Sequence, residues 1–221
     1  MSNVRHRKLP MQQPLVHQSL ASIPEGDLVK RLLSVPHWRE RLLKIYGIPD
    51  DSVPHREVLL NSLGKEGDID ILLVSASRPD FTTAIQVKRI KVDARTFISG
   101  KPNRLSALSE LHRQSNLLVE LGFAQVFSYA IVVVDSRAQN NGEYSFEGLT
   151  NELRSMIDSV VSTTGLHTDA GFIQFEIAQP IDDVPLGTST FSGRIHRMAT
   201  PRSQSVRITE WAGNLVAKVD A

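Results

Sequence analysis

The sequence predicts an α/β fold in which a mixed central β-sheet is flanked by helices. Two observations predict it. Some segments have apolar residues at helical spacing, which predicts helices, and others have the period-two alternation that is typical of strands. The resulting order is helix, three strands, helix, strand, helix, strand, which is typical of an α/β sandwich. The 221 residues, 41% hydrophobic and 22% charged, have the composition of a soluble globular protein.

The first elements are helices and a three-stranded meander. Residues 25–47 are predicted to form a helix in two pieces, because Pro36 cannot continue a regular helix and Gly47 is a typical stop. The strands of the meander are predicted at residues 56–62, 67–75 and 82–91.

The second half alternates helices with buried strands. Leucines from Leu105 to Leu121 mark a long amphipathic helix that ends at Gly122. Residues 126–134, rich in β-branched side chains, are a buried strand. A further helix is predicted over 149–160 and a further strand over 171–178.

We divide the chain into three segments. Residues 1–24 lack a sustained period and are expected to form an N-terminal arm, which is either a solvated tail or a contact for phosphates. Residues 25–180 are the α/β domain, and residues 181–221 are a C-terminal extension, expected to end in a strand or short helix near Trp211. The arginines of the extension belong to a second nucleic-acid contact, a partner-docking segment or a loose tail.

Composition and motifs exclude several classes. The chain has no cysteine, so disulfides and thiolate metal sites are impossible. The longest apolar runs are too short to cross a bilayer, and no apolar block follows the basic N-terminal residues, so we expect no membrane association and a cytoplasmic location. A net charge of +1 means that any basic surface is local. No phosphate-binding loop, dinucleotide fingerprint or hydrolase triad is recognisable.

Polar residues are concentrated on two strands of the meander. Asp68 and Asp70 lie on the strand at 67–75, and Gln86 and Lys88 lie on the strand at 82–91. Since side chains alternate across a strand, each pair shares a face. If the strands pair as a hairpin, carboxylates, an amide and an ammonium converge on one patch. The alternative is that these are ordinary solvent-facing residues and their cross-strand partners.

This patch has the chemistry of a divalent-cation site. Mg²⁺ binds carboxylate and carbonyl oxygens and usually takes only one or two protein carboxylates. Asp70 is the best ligand, and Gln86 adds an amide oxygen. Lys88 would lie beside the cation, where an ammonium positions an attacking water and stabilises charge on a phosphoryl group. A phosphodiester suits such a site.

The arrangement resembles the PD-(D/E)XK, or restriction-endonuclease-like, superfamily of nucleases. The run Gly67-Asp68-Ile69-Asp70 and the triplet Gln86-Val87-Lys88, sixteen residues after Asp70, carry the resemblance. The order of elements over residues 25–135 agrees with the core of that family. The resemblance implies that Asp70 and the first residue of the triplet bind Mg²⁺ or Mn²⁺, and that Lys88 is the catalytic lysine. An acidic residue from the preceding helix often joins them.

Gln86 stands where the family usually has Asp or Glu. Glutamine brings no negative charge, so cation affinity falls unless another carboxylate compensates, and Asp68 and Glu40 are the candidates. Members with a QXK triplet, including transposon end-cleaving subunits, are active. We therefore predict Asp70, Gln86, Lys88 and Glu40 as catalytic residues and Asp70, Gln86 and Asp68 as metal ligands. The literal Pro79-Asp80 falls in the turn between the strands and is excluded from the site.

Basic residues after the triplet form a possible track for a phosphate backbone, which needs spaced cations and no particular sequence. These residues are Lys91, Lys101, Arg104 and Arg113. The alternative is a solvated helix face.

The expected function is that of a Mg²⁺- or Mn²⁺-dependent endonuclease, acting on DNA rather than RNA on family grounds. The alternative is a nuclease-fold subunit that is catalytically weak or inactive and binds nucleic acid or a protein. The chain has no obvious separate recognition domain, so dependence on a protein partner or a second copy is a further expectation.

Overall fold

The computed structural model describes residues 23–44, 47–92, 96, 100, 102, 105–134, 149–163, 165–178 and 190–219. Its centre is a six-stranded sheet in which the strand order follows the chain order. The strands are β1 (Ser52–Leu59), β2 (Asp68–Ser75), β3 (Thr82–Val92), β4 (Gln125–Val134), β5 (Gly171–Ala178) and β6 (Thr190–Arg197). The helices are α1 (Glu25–Ser34), α2 (Pro36–Leu43), α3 (Ala107–Leu121), α4 (Asn151–Thr163) and α5 (Val206–Val219), with a short 3₁₀ helix at Asn61–Leu63.

The sheet is mixed, as the sequence predicts. Strands β1, β2 and β3 form an antiparallel meander, β3, β4 and β5 run parallel, and β6 returns antiparallel to β5. Parallel neighbours need a crossover, and α3 lies between β3 and β4 in the chain. Strands β4 and β5 are buried along their whole length. The α/β class with a mixed sheet flanked by helices is therefore confirmed.

Helices cover both faces of the sheet. On one face, α1 and α2 pack Leu28, Leu32 and Trp38 against the central strands. The hydroxyl of Tyr129 on β4 donates to the carbonyl of Leu42 on α2 over 2.9 Å, which joins this helix layer to the sheet. On the other face, α3 and α5 share one apolar cluster and α3 and α4 share another. Helix α1 is also bonded to β3 through its first residue, Glu25.

Two parts of the chain differ most from the expectation. Strand β1 begins at Ser52, before the predicted 56–62, and it contains Pro54, which an edge strand tolerates because one side of its backbone has no strand to pair with. The described part of the expected C-terminal extension contributes β6 to the sheet, and α5 buries Ile208 and Ala212 in the core. These residues therefore complete the α/β domain. None of the helices within the described ranges is long and apolar enough to cross a membrane.

Candidate functional site

The candidate site lies where β2 and β3 separate. Their ladder runs from Val74 opposite Thr82 to Ile71 opposite Ile85 and goes no further. Beyond that point the start of β2 remains paired with β1, and β3 remains paired with β4 up to Val92. The two strands thus diverge next to Asp70 and Gln86, and within the described part of the chain one edge of β3 has no neighbouring strand there.

Side chains replace the missing ladder at this gap. The backbone N–H of Val87 on β3 donates to Oδ2 of Asp70 over 2.7 Å. The Gln86 side chain does the converse, because its Nε2 donates to the backbone carbonyl of Asp68 over 2.7 Å. Each strand therefore uses one side chain to bond the backbone of the other. These bonds bring the Asp70 carboxylate and the Gln86 amide to the gap, whereas Asp68 takes part in them through its backbone carbonyl.

Glu25, the first residue of α1, contacts β3 just beyond Val87. Its Oε2 accepts from the backbone N–H of Arg89 over 2.6 Å, and its Oε1 lies 3.2 Å from Nζ of Lys88. The Arg89 guanidinium donates to the carbonyl of Ile23, just before the helix. The start of α1 is thereby joined to β3 by the side chain of Glu25 on the helix and the side chains of Lys88 and Arg89 on the strand. An acidic residue from the preceding helix does reach the lysine, and it is Glu25.

Glu57 on β1 adds a further carboxylate near the start of α1. The Glu57 carboxylate lies against Gly26 in the first turn of α1, where a Cβ on Gly26 would collide with Oε1 of Glu57. Glu57 also has a φ of 50°, a left-handed conformation that is unfavourable for a residue with a side chain. The constant register of β1 and β2 places Glu57 opposite Asp70. Backbone strain of this kind is concentrated at functional sites.

Asp70 is the electrostatically perturbed group of the site. The pKa of Asp70 is raised to about 6. Burial is the largest cause, and the neighbouring carboxylates of Glu25 and Asp68 contribute in the same direction. The Val87 N–H and the Lys88 ammonium act in the opposite direction without cancelling the shift. Lys88 and Glu25 are themselves mostly covered, with 21% and 29% of their side chains exposed. Of the described charged groups that act on Asp70, two are carboxylates and one is an ammonium, in a partly water-excluded position.

The other predicted residues lie elsewhere or make other contacts. Glu40 is exposed on α2 and pairs with Lys44 over 3.1 Å, whereas the helix carboxylate that contacts Lys88 is that of Glu25. Asp80 lies in the turn and pairs with Arg78, in agreement with its exclusion from the site.

The four basic residues of the predicted phosphate track have different outcomes. Arg113 is exposed on α3 and pairs with Glu110 over 2.6 Å. Lys91 is half-buried on β3. Lys101 and Arg104 lie outside the described residues.

The donor set suits a hard cation held by few protein ligands. No cluster of three or more His, Asp or Glu side chains in the described ranges is arranged to hold a metal ion. Mg²⁺, however, usually keeps several waters and takes one or two carboxylates. Asp70 can supply a carboxylate, and Gln86, whose nitrogen bonds to Asp68, can supply its amide oxygen. A divalent cation would also offset the repulsion between Asp70 and the carboxylates that act on it.

Sequence reasoning missed two features. Glu25 follows Pro24 in the first turn of α1, a common place for an acidic residue at a helix start, yet Asp27 shares that signal. A second polar cluster, on β5, had no signal in the sequence pattern. Glu176 there accepts from both Arg154, over 3.2 Å, and Gln174, over 3.0 Å.

Comparisons with known proteins add little to this geometry. No protein-family model matches the chain, and no curated protein matches it. A solved structure described as the SPO1766 protein of unknown function from Silicibacter pomeroyi is similar at 10% identity, over 90% of this chain and 88% of that chain, with a TM-score of 0.40. At that TM-score the similarity carries no argument about fold or function.

Proposed function

We propose that this protein is a metal-dependent nuclease that hydrolyses phosphodiester bonds, with DNA as its substrate. The observation that carries the proposal is the placement of Asp70, Lys88 and Glu25 around one gap in the sheet, with Asp70 bonded to the N–H of Val87 and Glu25 paired with Lys88. The resemblance of the Asp70 and Gln86-Val87-Lys88 pattern to the PD-(D/E)XK nucleases supports the same function. The preference for DNA rests on that resemblance alone.

Each side chain has a role in this proposal. Asp70 and Gln86 hold a Mg²⁺ or Mn²⁺ ion, which when bound polarises the phosphate and lowers the pKa of a bound water. Asp70 is ionised for this task at neutral pH, since its pKa is about 6. Lys88 orients the attacking water and stabilises charge on the phosphoryl oxygens. Glu25 positions Lys88 through their 3.2 Å contact.

A second candidate function is nucleic-acid or protein binding without catalysis. The hydrogen bond from Gln86 Nε2 to the Asp68 carbonyl favours it, because the side chain already joins two strands and so has a structural use. In this case Asp70 and Gln86 only close the gap between β2 and β3. Calorimetric titration with Mn²⁺ separates the two candidates, since the nuclease requires binding that Asp70→Ala abolishes.

The direct test is cleavage of supercoiled plasmid DNA in Mg²⁺ or Mn²⁺. We expect the wild-type protein to nick the plasmid, and Asp70→Ala and Lys88→Ala to lose about 10²–10³-fold in rate, the usual effect of removing one electrostatic contact to the transition state. Equal nicking by all three proteins would reject the proposal.

A matched pair of variants tests the assignment of the helix carboxylate. Glu25→Gln should lower the cleavage rate, because Lys88 loses the anionic partner that positions it. Glu40→Gln removes the same charge from an exposed position on α2 and should leave the rate unchanged. The reverse pattern would restore Glu40 to the site in place of Glu25.

A further inference from the structure

An apolar groove of about 560 Å³ lies between the end of α2 and the strands β5 and β6. Its apolar side chains are those of Ile173, Phe175, Phe191, Ile195 and Met198. Ligand pockets commonly measure about 300–1,000 Å³ and are mostly apolar, so the groove has the size and character of a small-molecule site. None of its lining residues belongs to the gap between β2 and β3.

The groove begins where the helix layer of α1 and α2 ends. The rings of Trp38, Phe191 and Phe175 stack in series, with centroids 6.0 Å and 5.2 Å apart, and mark the edge of the covered part of the sheet. Beyond them Ile195 on β6 is 60% exposed, although Ile173, its partner in register on β5, is buried. The apolar face of the sheet therefore continues past its helical cover.

A glycine opens the middle of the groove. Side chains alternate along β6, so Phe191, Gly193 and Ile195 belong to one face. Gly193 lies opposite Phe175, and a Cβ there would be 3.2 Å from the Phe175 ring, closer than ordinary contact. The absence of a side chain at this position leaves a depression between Phe191 and Ile195.

The charged residues that line the groove in the described part of the chain are Arg41 and Lys44, both basic. The Arg41 guanidinium donates from Nη1 to the Phe191 carbonyl over 3.1 Å, which holds it at the rim. No carboxylate within the described ranges pairs with Arg41, whereas Lys44 pairs with Glu40. A guanidinium has five N–H donors, so Arg41 keeps donors for an anion after bonding to Phe191.

We propose that the groove binds a small amphipathic carboxylate, of which a fatty acid is the simplest example. Its apolar body lies on Phe191, Ile195 and Met198, and its carboxylate accepts hydrogen bonds from Arg41. Charge complementarity selects this head group, because a guanidinium binds a carboxylate through two parallel hydrogen bonds and repels a cation. The inference goes beyond the proposed nuclease activity and does not rest on it.

Calorimetric titration of the full chain with two amphiphiles of equal chain length tests the charge of the ligand. The probes are dodecanoate and dodecylammonium at pH 7, both below their micellar concentrations. Their apolar bodies are nearly the same, so the burial of apolar surface contributes equally to both affinities. We expect dodecanoate to bind about tenfold more tightly, because reversing the charge turns attraction to Arg41 into repulsion. Equal affinities, tighter binding of dodecylammonium or no binding of dodecanoate would overturn the inference.

A matched pair of arginine variants tests the role of Arg41. Arg41→Met should weaken the binding of dodecanoate about three- to tenfold, the modest effect of an exposed ion pair, and bring the two probes closer in affinity. Arg39→Met removes the same charge from an exposed position on α2 outside the lining and should leave both affinities unchanged. Equal weakening by the two variants would assign the preference to the overall charge of the protein and reject the site.

A second pair locates the apolar body of the ligand. Ile195→Glu places a carboxylate in the groove and should abolish the binding of dodecanoate, while the melting temperature changes little because Ile195 is exposed. Val53→Glu makes the same change at a 50% exposed position on β1, at the other end of the sheet, and should bind like the wild type. Unchanged binding by Ile195→Glu would remove the ligand from the groove.

Light scattering tests the other occupant, a second copy of the chain. We expect the wild-type protein and Ile195→Glu to have the same mass in solution. A wild-type dimer that Ile195→Glu converts to a monomer would show that the groove is covered by a second copy, and the inference would fall.

Discussion

Two polar clusters lie on the same sheet and differ in how their charges are matched. On β5, the Glu176 carboxylate accepts two hydrogen bonds from Arg154, both over 3.2 Å, and a third from Gln174. At the gap between β2 and β3, Lys88 pairs with Glu25, and the carboxylates of Glu25 and Asp68 act on Asp70 together with the Lys88 ammonium.

The difference separates a structural cluster from a candidate functional one. A buried carboxylate bonded to a guanidinium has its charge neutralised and its oxygens satisfied, so it needs nothing further. The gap cluster instead raises the pKa of Asp70 to about 6, which means that the fold keeps a carboxylate where its charge is unfavourable. Groups with strongly perturbed pKa values, held by desolvation and specific neighbours, are concentrated at active sites. Stability alone would not select the gap cluster.

The largest expected contrast comes from neutralising one carboxylate in each cluster. Asp70→Asn keeps an acceptor for the Val87 N–H but loses the negative charge, so cleavage should fall about 10²–10³-fold while the fold persists. Glu176→Gln should leave cleavage unchanged and lower the free energy of unfolding by about 1–3 kcal/mol, because the partly buried Arg154 loses its anion. Plasmid cleavage and urea unfolding measure the two effects. Comparable losses of activity in both variants would erase the distinction between the clusters.

A smaller effect is expected in the pH dependence of stability. Asp70 ionises near pH 3.8 when unfolded and near 6 when folded, so the folded state binds the proton more tightly. Ionising Asp70 therefore lowers the free energy of unfolding progressively from about pH 4 to pH 6, and the whole of this loss is present above pH 6. Asp70→Asn removes the cost, so its gain in unfolding free energy over wild type should be small near pH 4 and about 2–3 kcal/mol near pH 8.

Asp80→Asn is the control for this titration. The hydrogen bond from Arg78 lowers the pKa of Asp80, so removing that carboxylate should give no gain in stability as the pH rises. Thermal or urea unfolding across the pH range measures both variants. A flat difference between Asp70→Asn and wild type would show that Asp70 is not held in an unfavourable charge state.

The smallest effect concerns the unusual glutamine. Gln86→Glu replaces the donor to the Asp68 carbonyl with an acceptor and adds a charge, so the metal-free protein should lose about 1–2 kcal/mol of stability. Mn²⁺ should restore it, since a cation bound between the new carboxylate and Asp70 removes their repulsion. Gln174→Glu on β5 should also be destabilised, because Glu176 loses its donor, but without recovery in Mn²⁺. Melting temperatures with and without Mn²⁺ decide the matter, and equal recovery of both variants would count against a cation site at the gap.

Much of the fold could be predicted because its signals are local. The alternation around Ile69 and Ile85 and the β-branched run from Val126 to Val134 identify strands within a few residues of their ends. Strand β6 was harder, because residues 190–197 carry Ser, Gly, Arg and His rather than a β-branched run. What makes them a strand is pairing with β5, a contact that no local pattern encodes.

From the sequence, only the part of the site that lies on the pair of strands β2 and β3 could be predicted. The spacing of Asp70, Gln86 and Lys88 indicates their convergence, because alternation and a short turn bring them to one place. Glu25 could not be distinguished from Glu40 by sequence, since both are helical acids and the choice depends on where α1 docks on β3. The donor role of Gln86 depends on the divergence of β2 from β3, which is a property of the assembled sheet.

The identity of strand order and chain order has a consequence for synthesis. Because each strand from β1 to β6 joins the edge left by its predecessor, the sheet can grow by accretion as the polypeptide leaves the ribosome. Glu25, Asp70 and Lys88 all emerge before β4, so the gap between β2 and β3 belongs to the first part of the nascent chain. Helix α5 follows the six described strands along the chain and packs Trp211 against Phe123. Until then the apolar surface that α5 covers is open, and transiently exposed apolar surface of this kind favours aggregation.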